Sequence, residues 1–273
     1  MSAPAIATTA VSVRNASVQI KMATLLDGVS IDIASGEWLS IIGPNGAGKS
    51  TLLRTIAGVQ QCSGAVEIDG QPIASLSPRE RAALVSWVPQ TPTIPAGMNV
   101  LDYVLLGRTP HLNPLSSPGD SDIALAKDVI EDLDLTSLAG RLVDTLSGGE
   151  RQRVVIGRAL VQEAPVILLD EPTSALDLGH QQEVLQLLDR LRSTSGRTII
   201  STMHDLSLAG QFADRLVMIA DGKVVASGTG PEVLTAEHIE THYRAAVTIT
   251  NVDGAVLVVP RIDRPDSSAT KET

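Results

Sequence analysis

The fold is decided by the segment Gly43-Pro44-Asn45-Gly46-Ala47-Gly48-Lys49-Ser50. It fits the pattern G-x-x-x-x-G-K-[ST] of a loop that binds phosphate groups. The glycines let backbone N–H groups turn inward around phosphate oxygens, and a helix that starts here adds its dipole. Lys49 can reach the outer phosphates of a nucleotide, and the Ser50 hydroxyl can ligate Mg²⁺. A dinucleotide-binding loop is excluded because Thr51 stands where its third glycine would be.

The residues on both sides of this loop indicate a strand before it and a helix after it. Glu37 to Ile42 is mostly apolar, as in a buried strand, and Leu52, Leu53 and Ile56 have helical spacing. Further along the chain, strand and helix patterns alternate, but residues 91–160 are mainly helical. The order of patterns predicts an α/β core with a mostly parallel sheet, interrupted by a helical lobe.

Two carboxylates follow a second apolar strand pattern. Val166 to Leu169 is entirely apolar, and Asp170 and Glu171 come directly after it. Next to a phosphate loop, such a strand presents a carboxylate to Mg²⁺. We therefore expect Asp170 in the metal shell and Glu171 as the base that polarises the attacking water.

A glycine pair marks the start of another predicted helix. In Leu146-Ser147-Gly148-Gly149-Glu150, Ser147 and Glu150 form a capping box around the pair. Glycines in a first turn weaken a helix, but they leave N–H groups open to an anion. The segment predicts a second phosphate-binding helix end, which capping alone does not explain.

Composition and charge narrow the classes of protein. The chain has 273 residues, 43% hydrophobic and 19% charged, so we expect a folded protein with a substantial core. A net charge of −10 opposes sequence-independent nucleic-acid binding, and no nucleic-acid partner is expected. The single cysteine, Cys62, excludes an internal disulfide. Without a targeting signal or a membrane-spanning run, we expect a soluble chain that reaches a membrane only through a partner.

Together, the motifs resemble those of the nucleotide-binding subunits of ABC transporters, from about Val11 to Ser227. The resemblance implies a P-loop NTPase core, with a mostly parallel sheet and an antiparallel β subdomain, and an inserted α-helical subdomain. The implied divisions are a flexible N-terminus (1–10), a nucleotide-binding α/β core (11–90 and 161–245), a helical signature subdomain (91–160) and a small C-terminal extension with a frayed tail (246–273).

The resemblance also gives each motif a role in binding or hydrolysing ATP. The matching segments are the Walker A loop Gly43–Ser50, the Q-loop glutamine Gln90, the signature Leu146–Glu150, the Walker B strand Val166–Asp170, the D-loop Ser174–Asp177 and the switch histidine His204. The implied catalytic residues are Glu171, His204, Gln90 and Lys49, and the implied Mg²⁺ ligands are Ser50, Gln90 and Asp170. The implied ATP contacts are Gly43, Pro44, Asn45, Gly46, Ala47, Gly48, Lys49, Ser50, Thr51 and Ile20.

Pairing of two copies follows from the resemblance as well. In the family, two subunits hold two ATP molecules head to tail, so the signature of one faces the Walker A loop of the other. Ser147, Gly148, Gly149 and Glu150 would then contact the ATP of the second copy, with Asp177 of the D-loop at the same interface. A head-to-tail pair explains why one chain has two phosphate-binding helix ends and no internal repeat.

One position departs from the family pattern. The family usually places an aromatic ring near the end of the first strand, where it stacks on adenine. Here Ile20 occupies that slot, and the chain has only five aromatic residues. We expect an apolar rather than a stacked contact with adenine, and expect Trp38 to belong to the core.

Two short runs resemble the ATPases of importers for ferric siderophores, haem and cobalamin: Gly107–His111 and Gly179–Gln181. The implied function is ATP hydrolysis coupled to metal-chelate uptake through a separate membrane permease, with an extracytoplasmic binding protein as an indirect partner. The implied location is peripheral, on the cytoplasmic face of the inner membrane. We expect the permease to dock at Thr91–His111, with apolar contacts from Val100, Val104 and Leu105 and a charged donor in Arg108.

Other members of the same ATPase family remain alternatives. A non-transport ABC ATPase of the DNA-repair or translation type would share these motifs. Repair members usually carry long coiled-coil arms and translation members two cassettes, and the sequence has neither. An ABC ATPase for a different cargo also remains open, because no residue here contacts the transported molecule.

Overall fold

Three sheets make up the strand content of the computed structural model, which describes residues 8–113, 116–174 and 176–261. The largest has six strands in the order β10-β9-β3-β8-β7-β6, all parallel except β10. An antiparallel sheet has the order β2-β1-β4-β5, and β11 pairs with β12. The strands are β1 (Thr9–Ile20), β2 (Ala23–Ala34), β3 (Trp38–Ile42), β4 (Ser63–Ile68), β5 (Gln71–Pro72), β6 (Val85–Val88), β7 (Val166–Asp170), β8 (Thr198–Thr202), β9 (Arg215–Ala220), β10 (Lys223–Gly228), β11 (Val247–Val252) and β12 (Ala255–Pro260).

Helices cover the large sheet and fill the middle of the chain. The α-helices are α1 (Lys49–Ile56), α2 (Pro78–Leu84), α3 (Val100–Leu105), α4 (Asp120–Asp132), α5 (Gly148–Leu160), α6 (Leu178–Ser195), α7 (Leu206–Phe212), α8 (Gly230–Val233) and α9 (Ala236–Tyr243). Short 3₁₀ helices are Ile73–Ser75, Leu106–His111, Thr136–Leu138 and Val143–Thr145. In the described part of the chain, no helix has the length and apolar character needed to cross a membrane.

The parallel strands position the site. Strands β3, β6, β7 and β8 all end at the same edge of the sheet, because parallel neighbours share one direction. The loop after β3 begins at Gly43, Glu171 follows β7, and Gln90 and His204 come two residues after β6 and β8. Four motifs that are far apart in sequence therefore meet at one edge.

Two buried clusters hold the elements together. One lies between the large sheet and the helices of the middle segment, and the other between the antiparallel sheet, α1 and the opposite sheet face. Strands β3 and β7 are buried along their whole length, as expected of central strands covered on both faces. Trp38 is fully buried, and its Nε1–H donates to Ser201 Oγ at 2.9 Å, which confirms its core placement.

The structure differs from the sequence expectation at one boundary. Strand β1 begins at Thr9, inside the segment 1–10 that was expected to be flexible. Strand β6 begins at Val85, because α2 continues to Leu84 behind its Ser77 capping box. The segment Leu106–His111 forms a 3₁₀ helix. Residues 1–7 and 262–273, which include the tail expected to fray, lie outside the described residues.

Candidate nucleotide site

The loop between β3 and α1 depends on two of its glycines. Gly43 has φ 151°, and a Cβ there would lie 2.1 Å from the Ile219 carbonyl oxygen. Gly48 has φ 106°, and a Cβ there would lie 2.4 Å from the Leu25 carbonyl oxygen. Only glycine fits this backbone path and this close packing. The path leaves α1 without a side-chain cap or an acidic residue in its first turn, so its N–H groups can meet an anion.

Lys49 lies folded into the loop. Its Nζ donates to the Gly43 carbonyl at 2.8 Å and to the Pro44 carbonyl at 3.1 Å, and the side chain is buried. Burial lowers the pKa of Lys49 below its usual value, while the charges of Glu171 and Asp170 oppose that change. A buried ammonium with no ion pair in the described chain is a fitting counter-charge for a nucleotide phosphate.

Ser50 joins the loop to the second carboxylate-bearing strand. Its Oγ donates to Asp170 Oδ1 at 2.9 Å, and Asp170 is almost completely buried at the end of β7. A serine hydroxyl and a carboxylate side by side are hard oxygen ligands, which Mg²⁺ prefers. In the described part of the chain, no group of three His, Cys, Asp or Glu side chains could enclose a metal. The oxygen set therefore fits Mg²⁺ that arrives with a nucleotide, with Gln90 as the third predicted ligand.

Glu171 is held between the two residues that the family resemblance singled out. Its Oε2 accepts from Gln90 Nε2, and its Oε1 contacts His204 Nε2. The Glu171 side chain is only 9% exposed, whereas that of His204 is 45% exposed. The structure thus brings together three of the predicted catalytic residues, with the glutamate inside and its two partners toward solvent.

The depression above the loop is small and polar at its base. It has a volume of about 210 Å³ and is lined by Leu25, residues 45–51 and Glu171, none of them aromatic. A larger cavity of about 550 Å³, beside Thr55 and Cys62, contains none of the predicted site residues. Ile20 lies at the end of β1 with 46% of its surface exposed, and its contact with adenine stays a prediction.

The capping box predicted at the second helix end forms at the start of α5. The Ser147 hydroxyl accepts from Glu150 N at 3.3 Å, and Ser147 N donates to Glu150 Oε2 at 2.8 Å. These bonds lower the pKa of Glu150, chiefly through the Ser147 N–H. In the described part of the chain, no hydrogen bond joins Ser147–Glu150 to the loop at 43–51.

Gly149 packs against the segment after the D-loop, a contact that the sequence did not indicate. A Cβ on Gly149 would lie 2.6 Å from His180 Cδ2, so a larger residue there would require the His180 ring to move. Asp177 Oδ1 accepts from His180 N at 3.0 Å and lies 2.8 Å from His180 Nδ1. Asp177 is thus the N-cap of α6, and Ala175 of the D-loop lies outside the described residues.

Three of the side chains expected to contact a permease point inward, which corrects their assignment, whereas docking at Thr91–His111 itself stays a prediction. Arg108 donates to Asp122 Oδ1 at 2.8 Å and to Glu163 Oε2 at 2.7 Å, and its side chain is 11% exposed. Val100 and Val104 are fully buried. Arg108 stabilises the joint between α4 and the end of α5, because its partners come from both, and it is not a free donor to another protein.

One residue that the sequence analysis missed lies at the centre of the site. Thr202 Oγ1 donates to Asp170 Oδ1 at 2.8 Å and accepts from Glu171 N at 2.9 Å. The only available signal was a threonine at the last position of β8, a strand that also contains Thr198 and Ser201. That signal could not name a partner in β7.

Comparison with known proteins agrees with the geometry. The ABC transporter family pattern matches residues 26–174. The chain is 37% identical over 242 residues to the iron(3+)-hydroxamate import ATP-binding protein FhuC of Bacillus subtilis (strain 168), covering 88% of this chain and 87% of that protein. It is 41% identical over 240 residues to the hemin import ATP-binding protein HmuV of Nocardia farcinica (strain IFM 10152), covering 86% and 82%.

Solved structures give the same picture. An inward-facing metal-chelate type ABC transporter has a chain that matches with a TM-score of 0.82 and 30% identity, covering 94% of this chain and 99% of that one. A dimeric ATP-binding cassette bound to ADP and Pi, in a post-hydrolysis state, matches with a TM-score of 0.73 and 30% identity, covering 80% and 98%. The fold is therefore that of ABC ATPase cassettes.

Proposed function

The chain belongs to the ABC transporter family, and on that premise we propose that it binds and hydrolyses ATP to drive uptake of a metal chelate through a separate permease. The proposal rests on the hydrogen bonds that Gln90 and His204 make to the Glu171 carboxylate. This carboxylate comes directly after Asp170, which is hydrogen-bonded to Ser50. A carboxylate fixed next to a phosphate loop is the arrangement that ATP hydrolysis needs.

Each residue has a distinct task in the proposed reaction. The loop N–H groups and Lys49 hold the phosphates and offset their charge. Glu171 orients the attacking water and accepts its hydrogen bond, while Gln90 and His204 keep the carboxylate aimed. Ser50, Asp170 and Gln90 would hold Mg²⁺, which would neutralise charge on the outer phosphates.

A second copy of the chain completes the proposed site. The start of α5 can bind an anion, yet no hydrogen bond ties it to the phosphate loop of its own chain within the described residues. Head-to-tail pairing places this end over the ATP of the other copy. The dimeric cassette bound to ADP and Pi supports such a pair.

The proposed cargo is a ferric siderophore, haem or cobalamin. Relatives named for iron(3+)-hydroxamate and hemin import, and a solved transporter of metal-chelate type, support this class. The chain would then be peripheral on the cytoplasmic face of the inner membrane, attached through the permease, and served indirectly by an extracytoplasmic binding protein.

The catalytic part of the proposal is tested by Glu171→Gln. Glutamine has the same shape but cannot act as a base, so we expect ATP turnover to fall about 100-fold or more, with ATP binding retained. The measurements are steady-state phosphate release and the affinity for ATP. Glu237→Gln, on exposed α9, is the matched control and should match wild type. Near-normal turnover in Glu171→Gln would reject the assigned role.

The boundary cleft, defined by Val59, Arg81, Trp87, Arg158 and Gln162, is the docking place that we assign to the permease. It has a volume of about 250 Å³ and lies between the end of α1, α2, β6 and α5. No acidic residue lines it, and neither arginine has an ion pair in the described chain. The Trp87 Nε1–H lacks an acceptor there too. A short permease helix whose acidic or carbonyl end meets the arginines fits this charge.

Docking is tested with Val59→Asp, which puts a carboxylate on an apolar wall of the cleft. Val59 is 61% exposed, so the change should leave folding and the ATPase activity of the isolated chain intact. Growth of a complemented deletion strain on ferric hydroxamate, hemin or cobalamin should be lost. Val259→Asp, on the exposed β12, is the control and should support growth. Growth of the Val59→Asp strain equal to that control would exclude the cleft.

A further inference from the structure

A single buried hydroxyl links the two carboxylates of the site. Thr202 is the last residue of β8 and is fully buried. Its Oγ1 donates its one hydrogen to Asp170 Oδ1 at 2.8 Å and accepts from the Glu171 backbone N–H at 2.9 Å. Both bonds use the same oxygen, so the position of Thr202 fixes Asp170 and Glu171 relative to each other.

Glu171 needs such a partner because of its backbone. Its φ is 52°, in the left-handed region that residues other than glycine seldom adopt. Here the chain leaves β7, and the Glu171 N–H turns away from the strand ladder toward the Thr202 side chain. Without the hydroxyl, this N–H would lose its acceptor in a largely buried place.

Asp170 is held from two sides. Its Oδ1 accepts from Thr202 and from Ser50 at 2.9 Å, so the carboxylate cannot rotate without breaking one of these bonds. Hydrogen bonds of this kind orient a carboxylate toward a metal. The Thr202 hydroxyl therefore orients both Asp170, the assigned Mg²⁺ ligand, and Glu171, the assigned base.

We propose that Thr202 is a positioning residue that couples the metal-side carboxylate Asp170 to the base Glu171 through its hydroxyl. This inference rests on the ATPase function proposed above. In this proposal Thr202 acts through Asp170 and Glu171 and does not itself contact the nucleotide.

The same strand supplies a matched control. Thr198 is a buried threonine at the other end of β8, and its hydroxyl accepts from Gly36 N at 3.0 Å. In the strand register Thr198 pairs with Val166, whereas Thr202 pairs with Asp170. Thr198→Val and Thr202→Val each replace a buried hydroxyl by a methyl group of similar size in one strand, but only the second touches the carboxylates.

The experiment compares the wild type with Thr202→Val, Thr202→Ser and Thr198→Val. For Thr202→Val we expect turnover to fall about 10- to 100-fold and more Mg²⁺ to be needed for half-maximal rate. In EDTA, Thr202→Val should bind a fluorescent ATP analogue as tightly as the wild type does. With Mg²⁺ present it should bind the analogue more weakly than the wild type, because only the contribution of the metal to binding is disturbed. Thr202→Ser, which keeps the hydroxyl, should restore turnover, the Mg²⁺ requirement and the affinity measured with Mg²⁺.

The outcomes separate this inference from the proposed function. An active wild type with Thr202→Val equal to Thr198→Val in turnover and Mg²⁺ dependence overturns the inference alone. A Thr202→Ser variant as impaired as Thr202→Val does the same, because the hydroxyl is then not the cause. A wild type that neither binds the analogue nor hydrolyses ATP overturns the proposed function and with it this inference. Thr202→Ala replaces Thr202→Val if the melting temperature shows that the valine variant does not fold.

Discussion

Two helix starts in the described part of the chain are suited to phosphate, and they differ in how many of the groups around a phosphate the chain itself supplies. At the start of α1, Lys49 and Ser50 are tied to loop carbonyls and to Asp170. At the start of α5, the capping box of Ser147 and Glu150 closes on itself, and exposed Gly148 lies between them. The start of α1 therefore has a lysine, a serine and carboxylates beside it in the same chain. The start of α5 has only its own capping residues.

The difference between the two helix starts indicates which groups of the nucleotide site a second copy of the chain must supply. The charges assigned to hydrolysis lie at the first end, where Asp170 is buried beside Thr202 and the Glu171 side chain is only 9% exposed. The second end contributes N–H groups and a helix dipole, which stabilise an anion but perform no proton chemistry. A head-to-tail pair of copies would bring the start of α1 of one copy together with the start of α5 of the other. Mutations that disable one helix start at a time can test this arrangement.

The largest expected effect comes from disabling one end in each of two copies. Lys49→Ala removes the phosphate counter-charge, and Gly148→Asp places a carboxylate at the anion-binding end while favouring the first helical turn. Each variant alone should lose ATP turnover about 100-fold or more. Mixed in equal amounts, they should recover roughly a quarter of the wild-type rate, since random pairing makes half of the dimers mixed, each with one intact site.

The mixing experiment has a clear contrary result. If the two ends acted within one copy, the mixture would be no more active than either variant alone. A mixture of Lys49→Ala with itself, prepared at the same total concentration, sets the background for the phosphate-release measurement.

The contrast between the two ends also bounds what the sequence could predict. Local patterns were enough for the glycine loop, for the capping box at Ser147, and for the apolar strand before Asp170, because each is formed by neighbouring residues. Alternating strand and helix patterns likewise predicted the α/β fold. Each of these features depends on interactions between residues within one turn or one strand.

Contacts between distant segments were not predictable in this way. The bond of Thr202 to Asp170 joins residues 32 positions apart, and that of Arg108 to Glu163 joins residues 55 positions apart. Arg108 was expected to face a partner because it lies in the lobe that the family resemblance places toward the permease. Nothing local shows that α4 and the end of α5 supply two carboxylates to it. Long-range pairing depends on the register of packed elements, which a single sequence does not display.

The smallest expected effect concerns the end of the nucleotide far from the phosphates. Among the described residues, none lining the depression above the loop is aromatic, and Ile20 occupies the position where the family usually has a ring. Ile20→Tyr should strengthen ATP binding by about 0.5–1.5 kcal/mol, the usual gain of an aromatic pair beyond its buried area. The measurement is a binding titration, with Val252→Tyr on the distant β11 as the control. Because the phosphate loop and its carboxylates are untouched, turnover at saturating ATP should stay at the wild-type level. An unchanged affinity in Ile20→Tyr would mean that adenine does not lie against position 20.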